Sequence, residues 1–223
     1  RTAELGGHVD QCDLPVRCTQ TGQCGALRIS YNSCRNRHCP KCQSLDKERW
    51  LEAREEDWLP TPYFHTVFTL PEGVRPLALR NQKVVYNLLF QSASETLSQL
   101  AKDPKQLGAE IGFIAILHTW TQTLMEHPHL HCLVTGGGLS LDGKRSACAL
   151  HADRWVSSRE AFFLPGNVLS ALFRGKFLDG LKKAYEAGDL TFVGQIEELK
   201  EASAFKKFLS GLYDQDWVVY CKP

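Results

Sequence analysis

The distribution of cysteine is the feature that most constrains how this chain can fold. Six of its nine cysteines lie between Cys12 and Cys42, in a polar segment with few large apolar side chains. A segment of this composition cannot bury enough apolar surface to fold unaided and needs a metal ion or a covalent cross-link. An odd number of cysteines, a CxxC pair and a start without an apolar signal core favour metal binding over disulfides. We therefore predict a zinc-binding domain with a linking helix over residues 1–60, followed by a second domain over residues 61–223.

The cysteine spacing predicts a structural zinc site with four thiolate ligands. A CxxC turn supplies one pair and the upstream cysteines supply the other, so that four sulfur atoms close a tetrahedral site. The first-choice ligands are Cys12, Cys24, Cys39 and Cys42. Further candidates are Cys18, Cys34, His8 and His38. These would suffice for a second zinc ion, and Cys18 competes with Cys12 for the first.

The same segment carries basic side chains that suit nucleic acid. They are Arg28, Arg35, Arg37 and Lys41. Arginines that project from a rigid zinc knuckle can bind the phosphates of DNA. The formal net charge of +1 neither requires nor excludes such a partner, so the local cluster decides. We predict a DNA contact here, and a solvated basic surface is the alternative.

The rest of the chain shows an alternation of strand and helix patterns. Residues 44–59 predict a helix capped by Ser44, and Pro-Thr-Pro at 60–62 marks the boundary between the domains. Apolar and β-branched stretches predict strands at 63–70, 111–120, 129–136 and 216–223. Helical spacing predicts one or two helices over 74–100, and further helices at 167–188 and 197–213. This order suggests an antiparallel sheet with packed helices, an α+β fold.

Three histidines alternate in the stretch HPHLHC at 127–132. Alternate residues of a strand point the same way, so His127, His129 and His131 are expected on one face. His129 and His131 can present two nitrogens to one cation, and His118, at the end of the preceding strand, can supply a third. His127 has the same parity and is the other candidate. A histidine-rich strand edge without an ion is the alternative interpretation.

Several other classes of protein do not fit the sequence. It has no HExxH motif of a zincin, and it is too short for a barrel amidohydrolase. The Asp that metallo-β-lactamase-like hydrolases carry after their second histidine pair is replaced by Cys132-Leu133. No run of about 18 apolar residues is present, so we expect no membrane association.

One known family shares several long motifs with this chain, in the same order. The motifs are GGHVDQC, ISYNSCRNRHCPKCQ, PYFHTVFTLP, LHTWTQTLMEHPHLHCLVTGGGLS and DWVVYCKP. Between Leu5 and Pro223 the sequence resembles the zinc-domain-bearing HUH transposases of the IS91 group, which move insertion sequences through single-stranded DNA by a rolling-circle route. The resemblance implies the HUH endonuclease fold, an RRM-like antiparallel sheet with packed helices, behind the zinc-binding domain.

The resemblance also implies the catalytic centre. The pair His129 and His131 matches the two histidines of the HUH motif, and His118 has the spacing of a third ligand. The bound ion, Mg²⁺ or Mn²⁺, polarises the scissile phosphate. A tyrosine then attacks and forms a 5′-phosphotyrosine. In the family this tyrosine lies on a helix beyond the segment that ends here at Pro223, so we expect the chain to lack it, and we expect Tyr220 to pack in the core.

Three functions fit these observations. The first is a transposase that cleaves and transfers single-stranded transposon ends. The second is a zinc-dependent DNA-binding module without chemistry, and the third is a rolling-circle replication initiator of the same superfamily. In each case the expected partner is DNA, in the bacterial cytoplasm at the nucleoid. The sequence leaves the oligomeric state open.

Overall fold

The computed structural model describes residues 3–12, 25–34, 39, 43–121, 125–141, 154–159 and 163–222. The chain forms two compact units, Arg1–Leu59 and Pro60–Pro223. Within the described parts of the chain, no helix is both long and apolar enough to cross a membrane. The following residues singled out from the sequence lie outside the described residues: Cys18, Cys24, Cys42, His38, Arg35, Arg37 and Lys41.

The first unit contains a hairpin and a helix. Strand β1 (Gly7–Gln11) pairs antiparallel with β2 (Leu27–Tyr31), and helix α1 (Ser44–Glu55) follows. The helix was predicted and the hairpin was not. None of the described residues of this unit is buried, which agrees with a segment that has too few large apolar side chains for a core.

Helix α1 begins without the cap that the sequence suggested. Gln43 occupies the N-cap position and Ser44 is the first helical residue, so the prediction that Ser44 caps the helix is wrong. The reason lies in the preceding turn. The Gln43 N–H donates to the Cys39 carbonyl at 3.0 Å, and the Gln43 carbonyl accepts from the Lys47 N–H at 2.9 Å. The chain has therefore already turned at Gln43, one residue before the serine.

The second unit is built on one antiparallel sheet. Its strands are β3 (Tyr63–Thr69), β4 (Ala109–Trp120), β5 (Glu126–Ser140), β6 (Trp155–Ser157) and β7 (Val219–Lys222). The order across the sheet is β4-β5-β3-β7, and β6 pairs with the last part of β5. The predicted antiparallel α+β architecture is confirmed. Strand β6 was not predicted, and β5 is longer than the predicted strand at both ends.

Among the described residues of this unit, four α-helices accompany the sheet: α2 (Arg75–Arg80), α3 (Gln82–Lys102), α4 (Gly166–Glu186) and α5 (Ala202–Tyr213). The predicted segment 74–100 is divided between α2 and α3 at Asn81. The buried Asn81 amide donates to the carbonyls of Leu77 and Thr191, and its Oδ1 accepts the Thr191 N–H at 2.7 Å. The break is therefore held by a partner 110 residues away in sequence. The predicted helix at 197–213 is a 3₁₀ segment followed by α5.

The helices cover one face of the sheet. The β5 residues buried on this face are Pro128, Leu130, Cys132 and Val134. Leu130, Cys132 and Val134 belong to one core with Phe64 and Phe68 of β3 and with the apolar sides of α3 and α4. Because side chains alternate along a strand, His129 and His131 lie on the opposite face, where they are only half-buried.

The three consecutive glycines lie inside β5 and not at its end, where the predicted strand limit had placed them. The Gly136 N–H donates to the Pro62 carbonyl at 2.6 Å, and a Cβ on Gly136 would lie 2.6 Å from the same oxygen. A Cβ on Gly138 would collide with the Glu110 carbonyl. Neighbouring backbones approach so closely here that only glycine fits.

Candidate metal centre

Two paired strands bring three histidines together. Strand β5 directs His129 and His131 to the face opposite the helices, and the pairing with β4 sets His118 directly across from His129. One ring nitrogen of each of these three residues lies within 4.8 Å of the other two. The ring centroids of His118 and His131 are 4.3 Å apart, and those of His129 and His131 are 4.9 Å apart. The structure thus groups the three histidines that the sequence singled out first.

The spacing of these nitrogens suits one metal ion. A shift of about 1 Å would bring them from 4.8 Å to the roughly 3–4 Å that separates two imidazole ligands of one ion. Three imidazoles form a donor set that accepts first-row ions such as Mn²⁺ and Zn²⁺. The residues present therefore fit a divalent ion.

The orientation of the His129 ring is fixed by its own strand. Its Nδ1 lies 2.6 Å from the carbonyl oxygen of His127. A carbonyl can only accept, so Nδ1 carries the proton and donates it. In the neutral ring this tautomer leaves the lone pair on Nε2, which is the form of imidazole that binds a metal.

The side chain of His127 is directed elsewhere. It shares the face of His129, but it is not one of the three residues whose nitrogens converge. Its Nδ1 lies 3.4 Å from Nη2 of Arg75, which is itself ion-paired with Glu72 at 2.9 Å. His127 contributes its backbone carbonyl to the cluster, through His129.

Burial and neighbouring rings keep two of the three histidines, His118 and His131, uncharged. Burial, followed by the proximity of His118, His129 and His65, lowers the pKa of His131 to about 4. Burial and then His129 lower the pKa of His118. Both rings are therefore neutral at pH 7, as a metal ligand must be.

His65 belongs to this site although the sequence analysis did not select it. It lies on β3, and its Nε2 is 2.7 Å from Nδ1 of His131. In the register of the two strands His65 faces Leu133 and is therefore a diagonal neighbour of His131. The alternation in YFHTVFTL already indicates that His65 lies on the face opposite Phe64 and Thr66, which are buried. The strand register that places His65 beside His131 could not be predicted from the sequence.

Tyr220 lies on the histidine face, so the prediction that it packs in the core is wrong. It is 41% exposed, and its ring lies at 71° to the His65 ring, with the ring centroids 6.3 Å apart. The neighbouring Cys221 points the other way and accepts a hydrogen bond from Thr66. A strand changes face at every residue, and the pairing of β7 with β3 decides which residues are inside. The Lys222 ammonium lies 5.2 Å from the Tyr220 ring centroid.

Besides His8, the described residues of the first unit include three predicted zinc ligands and one predicted DNA contact. They are Cys12, Cys34, Cys39 and Arg28. Cys12 and Cys39 are half-buried and Cys34 is exposed. Cys12 ends the hairpin, where its carbonyl accepts the N–H of Gly25 at 3.0 Å. The hairpin therefore sets Cys12 beside the residue that follows Cys24 in sequence. Arg28 lies on β2, opposite Asp10.

Comparisons with known proteins find similarity to transposases. A family model described as "Putative transposase" matches residues 112–223, and one described as "Transposase zinc-binding domain", of the IS91 type, matches residues 1–70. "Putative transposase y4qJ" of Sinorhizobium fredii is 50% identical over 223 residues, which is the whole chain and 52% of that protein. "Transposase for insertion sequence element IS801" of Pseudomonas savastanoi pv. phaseolicola is 31% identical over 137 residues.

The second relative is matched over 60% of the chain and 32% of its own length. The chain therefore spans about half the length of one curated relative and about a third of the other. No solved structure matches it.

Proposed function

The chain belongs to the family of transposases that carry an IS91-type zinc-binding domain, and from this we propose that it binds single-stranded transposon ends and holds the metal ion at which a strand is cut. The observation that carries the proposal is the histidine cluster. Three imidazoles from two paired strands converge within 4.8 Å, and one of them has its Nδ1 proton fixed by a backbone carbonyl.

We further propose that the second unit has the RRM-like fold of HUH endonucleases. Its order of elements is strand, helix, strand, strand, helix, strand when the short β6, α2 and α5 are set aside. This is the split βαβ arrangement in which the first and third of these strands are central, as β3 and β5 are here. In that fold the histidine pair lies in the middle of the sheet.

In the proposed site His118, His129 and His131 hold Mg²⁺ or Mn²⁺. An ion held by these three residues would neutralise charge on a phosphate oxygen and orient the scissile phosphate. The chain's own residues present three lone pairs on one face of the sheet and leave that face accessible to a strand of DNA. Imidazole nitrogen binds Mn²⁺ more readily than it binds Mg²⁺, so we expect stronger binding of Mn²⁺.

The proposed nucleophile is a tyrosine on a helix that follows Pro223 in the full-length protein. Its hydroxyl loses a proton to solvent, the phenolate oxygen attacks the phosphorus, the bond from phosphorus to the 3′ oxygen breaks, and that oxygen takes up a proton from solvent. The products are a 5′-phosphotyrosine and a strand with a free 3′-hydroxyl. The linkage conserves the energy of the broken bond for joining to a new strand.

The surface around the cluster and the zinc-binding domain are the proposed DNA contacts. Beside the histidines, the exposed rings of Trp120 and Tyr220 can stack on bases. In the first domain the proposed contacts are Arg28, Arg35, Arg37 and Lys41. The proposed zinc ligands are Cys12, Cys24, Cys39 and Cys42, with Cys18, Cys34, His8 and His38 as reserves. Zinc content per chain, measured on purified protein, separates one ion from two.

A covalent-adduct assay tests the proposed function. Full-length protein is mixed with Mn²⁺ and single-stranded DNA that spans the end of its element, and the products are separated on a denaturing gel. We expect a metal-dependent protein–DNA band that His129→Ala reduces by more than about 100-fold, since loss of a ligand exceeds the 10–100-fold cost of a second-shell change. The His129→Ala protein should keep the wild-type melting temperature, which separates lost chemistry from lost folding.

Two results would contradict this function. A covalent band of normal intensity from His129→Ala would exclude the histidine cluster as the metal centre. Binding in native gels without any covalent band would favour a zinc-stabilised DNA-binding module.

A further inference from the structure

His65 and His131 meet in the geometry of a hydrogen bond. Their nearest nitrogens, Nε2 of His65 and Nδ1 of His131, are 2.7 Å apart. The ring centroids are 4.9 Å apart and the planes differ by 12°. The centroid distance exceeds the nitrogen distance by about two ring radii, so both nitrogens lie close to the line between the centroids. The rings meet edge to edge and nearly coplanar, which is the alignment of an N–H···N bond and not of a face-to-face stack.

The direction of this bond follows from the chemistry of the cluster. A neutral imidazole has one N–H donor and one acceptor nitrogen. If His131 is to offer Nε2 to an ion, its Nδ1 must carry the proton, and the nitrogen of His65 that faces it must accept. This repeats what is seen at His129, whose Nδ1 donates to the carbonyl of His127 at 2.6 Å.

We propose that His65 is a positioning residue of the metal centre: it accepts the Nδ1–H of His131 and so presents the Nε2 lone pair of His131 to His118 and His129. The inference rests on the proposed function of that cluster. Metal-binding histidines commonly donate their second ring nitrogen to a carboxylate, a backbone carbonyl or water, and that partner sets both tautomer and ring orientation. In this protein a second imidazole takes that role for one ligand and the strand's own backbone takes it for the other.

The surroundings of His65 hold its ring in place for this task. Strand β3 lies between β5 and β7, so the residue has a paired strand on each side. On one side its ring meets His131, and on the other it lies at 71° to the ring of Tyr220, with the ring centroids 6.3 Å apart. His65 is not one of the three residues whose nitrogens converge, and its Nε2 is occupied by His131. It acts through His131 and not on the ion.

Variants of the full-length protein, supplied with no more zinc than its cysteine-rich domain binds, test the assignment by Mn²⁺ titration, with free Mn²⁺ followed by its electron paramagnetic resonance signal. His65→Leu removes the acceptor, whereas His65→Gln places an amide oxygen near the position of Nε2. Lys222→Leu is the matched control, because Lys222 is the Cα partner of His65 on β7. We expect His65→Leu to weaken Mn²⁺ binding by about 10–100-fold. His65→Gln and Lys222→Leu should stay within about twofold of wild type.

The tautomer of His131 in metal-free protein gives a second, independent readout. Long-range ¹H–¹⁵N spectra distinguish an imidazole protonated at Nδ1 from one protonated at Nε2. We expect the Nδ1–H form in wild type and in His65→Gln, and a mixture of both forms in His65→Leu. An unchanged tautomer and unchanged Mn²⁺ affinity in His65→Leu would overturn the proposal. So would a loss in His65→Gln as large as that in His65→Leu, because His65 would then act as a ligand itself.

Failure of the proposed function would look different. If wild type binds no Mn²⁺, the metal centre is wrong. A tautomer that still changes in His65→Leu would then support the positioning of His131 by His65, and an unchanged tautomer would reject it. The two proposals therefore fail on separate measurements.

Discussion

The two faces of β5 differ in role: one packs in the hydrophobic core and the other carries histidines of the proposed metal centre. On the helix side Leu130, Cys132 and Val134 are fully buried and join the core. On the other side His129 and His131 are half-buried, and their ring nitrogens converge with that of His118. The residues of the two sets alternate one by one along the same strand. Alternate positions of β5 therefore serve stability and metal binding separately. A substitution on the core face should lower stability, and one on the histidine face should affect metal binding.

The largest expected effect comes from the core face. Leu130→Ala removes a side chain with no exposed surface and should lower the free energy of unfolding by about 2–5 kcal/mol. The matched control is Leu133→Ala, the same change on the histidine face, where the side chain is only half-buried; it should cost about 1 kcal/mol. Native-state hydrogen exchange of the β5 amides measures both. Equal losses from the two variants would contradict the division between the faces.

Parity is also the part of this site that the sequence could predict. The period of two in HPHLHC requires no knowledge of neighbouring strands, so the shared face of His129 and His131 followed directly. The role of His65 depends on which residue of β3 faces which residue of β5, across 66 positions of sequence. The prediction for Tyr220 was wrong for a related reason, because a shift of one residue in register exchanges the side chains that face the core with those that face solvent. Local pattern predicts which elements form, and pairing register decides which side chains meet.

An effect of intermediate size should appear in the pH dependence of stability. The pKa of His131 is lowered to about 4 in the folded protein, whereas it should be near 6.5 in the unfolded chain. Between these values the unfolded state binds more protons, so stability falls as pH decreases from about 6.5 to about 4. Hydrogen exchange of β5, measured in that window without added divalent ions, should show this loss.

The His131→Gln variant isolates that contribution. The pKa values of His118 and His127 are also lowered, while burial raises the pKa of Glu126, so the wild-type slope is a sum of opposing parts. We expect the variant to have a shallower decline than wild type between pH 6.5 and 4. An identical decline would mean that His131 is as easily protonated in the folded protein as in the unfolded chain.

The smallest effect should come from His127, although it shares the face and the parity of His129. His127→Leu removes an imidazole that contacts Arg75 at 3.4 Å, but it keeps the backbone carbonyl that accepts from His129 Nδ1. If the metal centre is the cluster of His118, His129 and His131, Mn²⁺ affinity should change by no more than about twofold, as for an ordinary surface substitution. The same titration used for His65 measures it. A loss of tenfold or more in Mn²⁺ affinity would identify His127 as a ligand. A position on the histidine face of β5 would then be enough for metal binding, whereas the observed cluster also requires His118 from the paired strand β4.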